Sequence, residues 1–544
     1  MFQSPPRGAR LGLVAVLVAA AVLRLVHWWT LRDQPFVGQP ILDSAEYDRW
    51  ARQIASGDWR GEGAFFQAPF YPYLIAAVYV VAGSRLSAVY LLQIAAAVAA
   101  VWALWRCGLR LAGWQVGLVG AALAAFCGVL VFHDVLLLKE SLATSAMAFL
   151  LLALVSAREP GTEKTWWLVA GALFGVLVEL RENALLLLPL LLGLAFARSQ
   201  RRQTLAACAL LLGGLLLILA PIAVRNVAMT GEPLLTSFQG GVNYWIGNNP
   251  DADGTYRPLV AGRQVPERER AEAVRLAEQA SGRKLSPREV SRYWLHRALA
   301  WTVSEPGAFL RLQVRKLALF WSPYEWPDAV DYAWLRHESP VLRAAFVERG
   351  TLSLLALAGL WLVRGDLRRW APVLVLLFGW MAVTVAFFLF SRYRLPAVPP
   401  LALLAAVPLA RLGNAIRDWR ARALDGDHAA AGDGRGRTLA IGAGTLAVVA
   451  AFIVPHALML PPRLDLVHGN LGRLAEQRGD AIDAEAHYRA ALAAAPDDLL
   501  ALLGLGNAAA RQRRYDEALA LYRHASAAYP GSPEALANVG AAEL

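Results

Sequence analysis

Residues 69–83 read "PFYPYLIAAVYVVAG", and whether this apolar stretch crosses a bilayer decides the topology of everything after it. At ~1.5 Å per residue it reaches ~22 Å as a helix, short of a ~30 Å hydrocarbon core. Eleven longer or paired candidates surround it: 11–29, 87–105, 115–132, 141–157, 166–180, 184–197, 204–224, 345–363, 371–390, 395–410 and 438–460. With 57% apolar residues over 544 positions, the chain reads as a polytopic membrane protein.

Charge resolves the short segment. If 69–83 does not cross, the segments 1–10, 106–114, 158–165, 198–203, 364–370 and 411–437 share one side and hold 18 Lys and Arg. The opposite short turns hold only Lys139, Arg181, Arg392 and Arg394. The positive-inside rule then puts the six clusters and the N-terminus in the cytoplasm. Segment 69–83 becomes a helix in or dipping into the outer leaflet, and 166–180 with 184–197 a hairpin turned at Arg181-Glu182-Asn183. Residues 1–29 read as a retained anchor rather than a cleaved signal, given Arg24 and the aromatic end His27-Trp28-Trp29. The outer side receives loops 30–86 and 225–344 and everything after 460. The division expected is a membrane domain over 1–462 and an extracytoplasmic unit over 463–544. The net charge of +11 follows this topology, so no nucleic-acid partner is expected. Cys107, Cys127 and Cys208 show neither metal-ligand spacing nor a disulfide framework.

The last unit repeats. Gly472, Gly506 and Gly540 are spaced by 34, as are Tyr488 and Tyr522, and Pro496 and Pro530. That is the tetratricopeptide period, with small residues where paired helices touch. The third repeat stops at Leu544 inside its first helix. Such repeats either bind a protein partner or serve as a solvated spacer.

Four stretches carry residues fit for chemistry. In "DSAEYDRWAR" (43–52), Asp43 and Glu46 share a helix face. They read either as a capping box, with Asp43 at the N-cap and Glu46 at N3, or as a catalytic pair; Asp48 and Arg52 form an i,i+4 pair. Trp50, Tyr71 and neighbouring aromatics suit a headgroup interface or a stacked sugar. In "FHDVLLLKESL" (132–142), Asp134 is expected to face water. Lys139 and Glu140 interrupt an apolar run at membrane depth, where ionisable groups are costly and mark function, or else pair structurally. In "SRYRLPAVPP" (391–400), Arg392 and Arg394 flank Tyr393 on the side where the charge rule disfavours cations; guanidinium forks suit a lipid phosphate, and snorkelling is the alternative. In "GGVNYWIGNNPDADGTY" (240–256), Asp251 and Asp253 are a metal candidate or simple turn formers, and Arg225 before it faces the site or anchors its helix.

The order and placement of these motifs resemble the GT-C membrane glycosyltransferases. The group in question is family-39-like and includes protein O-mannosyltransferases and the lipid A aminoarabinose transferase. The carriers are the Asp/Glu motif after the first span, "APFYPYLIA", "LLLKESL" and "RYRLP"; the similarity covers roughly residues 10–410. It implies an all-α, polytopic GT-C-type fold, here with a tetratricopeptide α-solenoid. It also implies a polyprenyl-phosphate-linked sugar donor, used at the outer face of a bacterial inner membrane with inversion. Asp43 then corresponds to the general base, Glu46 to a second motif residue and Glu140 to the acid opening the fourth span. Arg392, Tyr393 and Arg394 correspond to the donor-phosphate segment, with Lys139 and Arg181 as further cations. Trp50, Tyr71, Asn243 and Tyr244 are candidates for touching acceptor or sugar. Relatives often carry adjacent Asp-Glu where this chain has Asp-Ser-Ala-Glu, so the base is either Asp43 or Glu46. A polyprenyl phosphate leaving group needs only Arg and Lys, so no cofactor is required and a divalent metal is optional. Two other readings stand beside this one: a polymerase or ligase of undecaprenyl-linked oligosaccharide, and a transporter or scaffold presenting the repeats. The acceptor (protein, lipid or glycan) is open.

Overall fold

Backbone in hydrocarbon must satisfy its own hydrogen bonds, so the apolar runs become helices. The computed structural model describes residues 5–159, 161–196, 201–263, 265–424 and 431–543. Within the basic clusters, residues 1–4, 198–200 and 425–430 lie outside the described set, as does Leu544. The first half contains α1 (Arg7–Leu31), α2 (Asp43–Ala55), α3 (Phe70–Ala82), α4 (Leu86–Ala112), α5 (Trp114–Ala125), α6 (Gly128–His133), α7 (Glu140–Ser156), α8 (Glu163–Leu180), α9 (Leu188–Phe196) and α10 (Arg201–Thr230). The large loop folds as α11 (Gly240–Gly247), α12 (Pro266–Ser281), α13 (Pro287–Ser304), α14 (Pro306–Trp321), α15 (Tyr332–Glu338) and α16 (Pro340–Ala344). The bundle closes with α17 (Arg349–Val363), α18 (Leu367–Ala386), the short α19 (Ser391–Arg394), α20 (Val398–Leu424) and α21 (Ala431–Ala457). Among the described residues the only β-pairing is two isolated bridges, Cys127 with Val347 and Thr255 with Leu389. The fold is all-α.

Among the described residues, six helical stretches are long and apolar enough to cross a membrane: Arg7–Leu31, Leu86–Ala112, Arg201–Thr230, Arg349–Ala386, Ser391–Ala421 and Thr438–Ala457. Shorter apolar helices fill in between. The run expected as a single span over 115–132 divides at Cys127, because Gly128 sits where a Cβ would strike the Tyr332 hydroxyl and the chain pairs instead with Val347. The half-length segment is α3: 13 residues, or ~20 Å, ended by Gly83 at φ 74°. It buries Tyr71, Ile75, Ala76 and Tyr79 and leaves Val80 and Val81 exposed, as expected of a helix with one face on protein and one on lipid. Close backbone approach sets the packing of α4 on α5, where Gly108 and Gly117 face each other with no room for a side chain.

The repeats follow as α22 (Leu464–Gln477) with α23 (Ala481–Ala494), α24 (Leu499–Arg511) with α25 (Tyr515–Ala528), and α26 (Pro533–Glu543). The Tyr488 ring lies between Gly472 and Gly504, and Tyr522 rests on Gly506, which explains the glycine register. The solenoid is not a free spacer. Val467, Leu471 and Leu474 of α22 belong to the same apolar core as the membrane helices. Asn470 donates to the Ala329 carbonyl (2.9 Å), and the Arg463 amide donates to Asp331 (3.2 Å).

Candidate active site

The chain approaches α2 through Leu42, a non-glycine residue at φ 50°. Such a left-handed conformation is strained for a branched side chain. No capping box forms: the N-cap is Leu42, and no side chain caps the helix. The box fails because the Asp43 carboxylate turns away from the helix amides to Arg392, 2.8 Å away. Asp48 and Arg52 do form their i,i+4 pair at 2.9 Å.

Arg392 is the hub. Its guanidinium, 8% exposed, reaches Asp43 at 2.8 Å, Asp328 at 3.1 Å and Glu140 at 3.9 Å. Glu140, at the first position of α7 and wholly buried, also pairs with Arg181, whose own guanidinium lies 4.0 Å from the Tyr393 ring centre. Lys139 does not pair with Glu140 or Asp134; it leans toward Glu182 at 3.8 Å. These residues open on a cavity of about 1080 Å³. Its lining includes the ionic side chains Asp43, Lys139, Arg181, Glu182, Asp328 and Arg392. It also includes apolar ones, Phe387, Phe388 and Phe390 and, at the hairpin turn, Leu185 and the exposed Leu186, with the Phe390 ring 5.4 Å from the Arg392 guanidinium. Such a mixed lining suits a ligand with an anionic and an apolar part.

Several expectations need correction. Arg394 lies outside the cavity with no exposed surface. It donates to the carbonyls of Leu319 (2.8 Å), Ser322 (3.1 Å) and Tyr324 (2.5 Å) and pairs with Glu325 at 2.8 Å, so it closes the C-terminal end of α14 and has no fork left for phosphate. Asp134 does not face water: it is buried against Arg24 at 2.7 Å. Tyr71 is a core residue that donates to Gln93 (2.6 Å). Trp50 packs on Phe65, and Tyr244 edge-on against Phe387, without lining the cavity themselves, whereas Asn243 and Tyr393 line it. Arg225 anchors its helix to the first loop by donating to the Arg60 carbonyl at 3.0 Å. Asp253 accepts from Thr255 and pairs with Arg257, a turn arrangement, and no acid/His/Cys group suited to a metal occurs among the described residues.

Glu46 parts from Asp43. It lines an adjoining polar cleft, its Oε2 buried without a hydrogen-bond partner. Burial first, then the Asp43 charge, pushes its pKa up to about 7. Across the cavity Glu269 accepts from the Tyr256 hydroxyl at 2.7 Å, and burial likewise raises it to about 7. Asp328 is raised by burial, against the pull of Arg392.

Asp328, Glu182 and Glu269 are the residues sequence reasoning missed. Glu182 accepts from the Ala68 amide (2.8 Å), Ser237 (3.0 Å) and Gln239 (2.7 Å), fastening the first outer loop to the second. The available signals were an acid in a membrane-depth turn and three acids among aromatics in "SPYEWPDAVD" (322–331).

An all-α polytopic membrane protein, extended by a tetratricopeptide solenoid, is the class these features define. Residues 67–225 match the family described as dolichyl-phosphate-mannose-protein mannosyltransferase, and residues 470–533 match the tetratricopeptide repeat. The first match takes in Lys139, Glu140 and Arg181 but neither Asp43 nor Arg392. Among solved structures, the archaeal oligosaccharyltransferase AglB from Archaeoglobus fulgidus, in complex with an inhibitory peptide and a dolichol-phosphate, is 14% identical with a TM-score of 0.46. The alignment covers 85% of this chain and 58% of that one, so the chain spans under two thirds of that relative's length. ArnT from Cupriavidus metallidurans bound to undecaprenyl phosphate is 13% identical with a TM-score of 0.41, over 97% of this chain and 88% of its own. No curated protein matches the chain.

Proposed function

We propose that this chain is an inverting glycosyltransferase that moves a sugar from a polyprenyl-phosphate donor to an acceptor hydroxyl at the extracytoplasmic membrane face. The observation that carries the reading is the Arg392 fork. It pairs with Asp43 at 2.8 Å and lies 3.9 Å from Glu140 of the Glu140–Arg181 pair, in a cavity lined by both ionic and apolar side chains.

Without a donor, the guanidinium groups of Arg181 and Arg392 are held by Glu140, Asp43 and Asp328. A donor phosphate enters by exchange, taking the forks over from Asp328 and Glu140 while Lys139 adds a third cation. Burial already favours the neutral form of Asp328, which lowers the cost of releasing Arg392. The isoprenoid tail leaves past Leu185 and Leu186 toward lipid. Asp43, freed from Arg392, accepts the proton of the acceptor hydroxyl. The oxygen forms its bond to the anomeric carbon from the face opposite the phosphate as the carbon–oxygen bond to phosphate breaks. The electron pair departs on the phosphate, where Arg181, Arg392 and Lys139 stabilise it. A single displacement inverts the anomeric centre. Side-chain cations suffice for this leaving group, so a divalent metal is not required.

Asp43 is assigned as base rather than Glu46 because Asp43 lines the cavity with the cations, whereas Glu46 opens on the adjoining cleft. The test is purification in mild detergent with mass spectrometry of co-purifying lipids, followed by transfer assays from polyprenyl-phosphate sugars. A polyprenyl phosphate or its glycoside in the wild-type preparation, depleted in Arg392→Ala, is the expected result. A wild-type preparation free of such lipids and unable to turn over any such donor overturns the reading.

A further inference from the structure

The catalytic cavity does not end at the membrane domain. A polar cleft of about 640 Å³ that holds Glu46 adjoins it, and Leu42, Pro266 and Arg473 line both. Residues of α2, of the start of α12 and of the solenoid line the pair of cavities. Eight of the solenoid positions that face them obey the 34-residue period. Leu466, Leu500 and Glu534 are equivalent, as are Asn470, Gly504 and Asn538, and Arg473 and Asn507. Within each first helix they stand at i, i+4 and i+7, a single face, and all of them line one cavity or the other. The inner surface of the repeats is therefore turned onto the active site and away from open solvent. The third repeat is held there by Glu534, which pairs with Arg268 on α12.

We propose that this groove is the acceptor site and that its occupant is an extended polypeptide segment, which the repeats feed past Glu46 to Asp43. The inference rests on the transferase reading above and adds the acceptor's class and where it is held. Asn507, Asn538 and Gln477 line the cleft with carboxamides; Asn507 Oδ1 already accepts from Tyr522 (2.8 Å) and Asn538 (3.4 Å), which leaves the Asn507 amide to donate and the Asn538 and Gln477 groups to donate to and accept from a peptide unit. Arg473, Arg49, Glu476 and Glu267 supply both signs of charge along the same cleft, and a solenoid's inner face suits a linear ligand. A glycan asks for open aromatic faces. Tyr488 is the single aromatic residue lining this cleft, and its ring is covered by Gly472 and Gly504 while its hydroxyl bonds Glu476 (2.9 Å).

The test reads occupancy without turnover, so it separates a failed groove from a failed transferase assignment. Gln477→Cys and Asn538→Cys place thiols in the groove, and Ile482→Cys, at an 86% exposed position, is the reference. The native Cys107 and Cys127 are buried, and Cys208 lies on α10 of the membrane bundle. Maleimide labelling of the full-length protein in detergent is followed with a pool of random, end-blocked peptides or with linear glucose oligomers. The peptide pool is expected to slow labelling of both groove thiols about tenfold when it exceeds its Kd about tenfold, since only the empty groove reacts. The reference thiol should react unchanged, and Arg473→Ala should shift half-protection to higher peptide concentration. Protection by glucose oligomers instead of peptides, by neither at about millimolar concentration, or of Ile482→Cys as well, overturns the proposal.

Discussion

Arg392 and Arg394 are two residues apart and should fail in opposite ways when truncated. Arg394→Ala removes a guanidinium that closes the end of α14. Carbonyls of Leu319 and Tyr324 lose their side-chain donor in a buried site, that of Ser322 keeps only Arg349, and Glu325 keeps only Arg349 (2.7 Å) and Ser391 (2.5 Å) of its partners. Breaking a buried ion pair from one side costs about 3–5 kcal/mol, and the surviving Arg349 contact puts the expectation near the lower figure. Even that is a large part of the ~5–15 kcal/mol that holds a typical domain. Arg392→Ala leaves Asp43 and Asp328 facing a cavity, with side chains 21% and 26% exposed. Both keep part of their surface open to the cavity and the buried Glu140 keeps Arg181, so the stability loss is smaller. What it removes is one charge-assisted phosphate contact, worth about 1.5–3 kcal/mol, or a roughly 10- to 150-fold weaker Kd. The assay pairs thermal denaturation in detergent with binding of a short-chain polyprenyl phosphate at a temperature where both variants are folded. Arg394→Ala should melt well below wild type and bind the phosphate normally; Arg392→Ala should melt closer to wild type and bind it poorly. The reverse pattern, or normal binding by Arg392→Ala, refutes the assignment of the two forks.

Asp43→Asn should reduce transfer by about 10²–10⁴, the usual contribution of a positioned base; a variant with near-normal transfer and no loss of rate in single turnover rules out Asp43 in that role. Glu46 titrates near 7 in the folded chain against 4.5 as its ordinary value. As pH rises, the unfolded chain therefore releases this proton first, and the stabilisation present below pH 4.5 is lost through the interval up to about 7. Glu46→Gln carries no such loss, so its melting temperature should exceed wild type at pH 8 and converge with it near pH 4; parallel pH profiles for the two proteins contradict the burial of this carboxyl. In Gly247→Ala the new Cβ would sit 2.2 Å from the Phe387 carbonyl oxygen, forcing α11 away from the segment that leads into Arg392. A stability loss of about 1–3 kcal/mol with weakened phosphate binding is expected, measured by the same two assays; unaltered melting and binding would mean that this contact does not hold the cavity wall.

The fold was readable where physics is periodic or additive. Apolar run length, the one-sided distribution of Lys and Arg and the 34-residue register each sum many weak signals, so the all-α bundle, the half-length α3 and the repeats follow from them. The site was readable only in part, because its members meet through tertiary contact. Arg392 joins Asp43 and Asp328, partners that no local spacing links to it. Nor does sequence separate Arg392 from Arg394. Residues at i,i+2 on a helical turn point to different sides, and which side is the cavity depends on where α14 ends. For Asp43 and Glu46 the i,i+3 rule put both on one face, correctly, but the edge of that face divides two adjoining spaces. Asp328 and Glu182 sit in aperiodic turns, where nothing but the assembled structure distinguishes a partner from a solvated acid.

One loop links these levels. Residues 322–331 carry three acids, and each serves a different part of the molecule. Glu325 holds Arg349 and Arg394 and so fixes the bundle; Asp328 holds Arg392 in the cavity. Asp331 accepts from the Arg463 amide at the entry to the repeats and caps α15 through the Trp334 amide (2.8 Å). Next to Asp328, the Ala329 carbonyl accepts from Asn470 on the solenoid's inner face. The carboxylate that holds Arg392 is thus one residue away from the contact that docks the repeats. Such a chain of contacts passes a small displacement along a packed element instead of dissipating it in solvent. A displacement of α22 against the loop would therefore bear on the hold of Asp328 on Arg392.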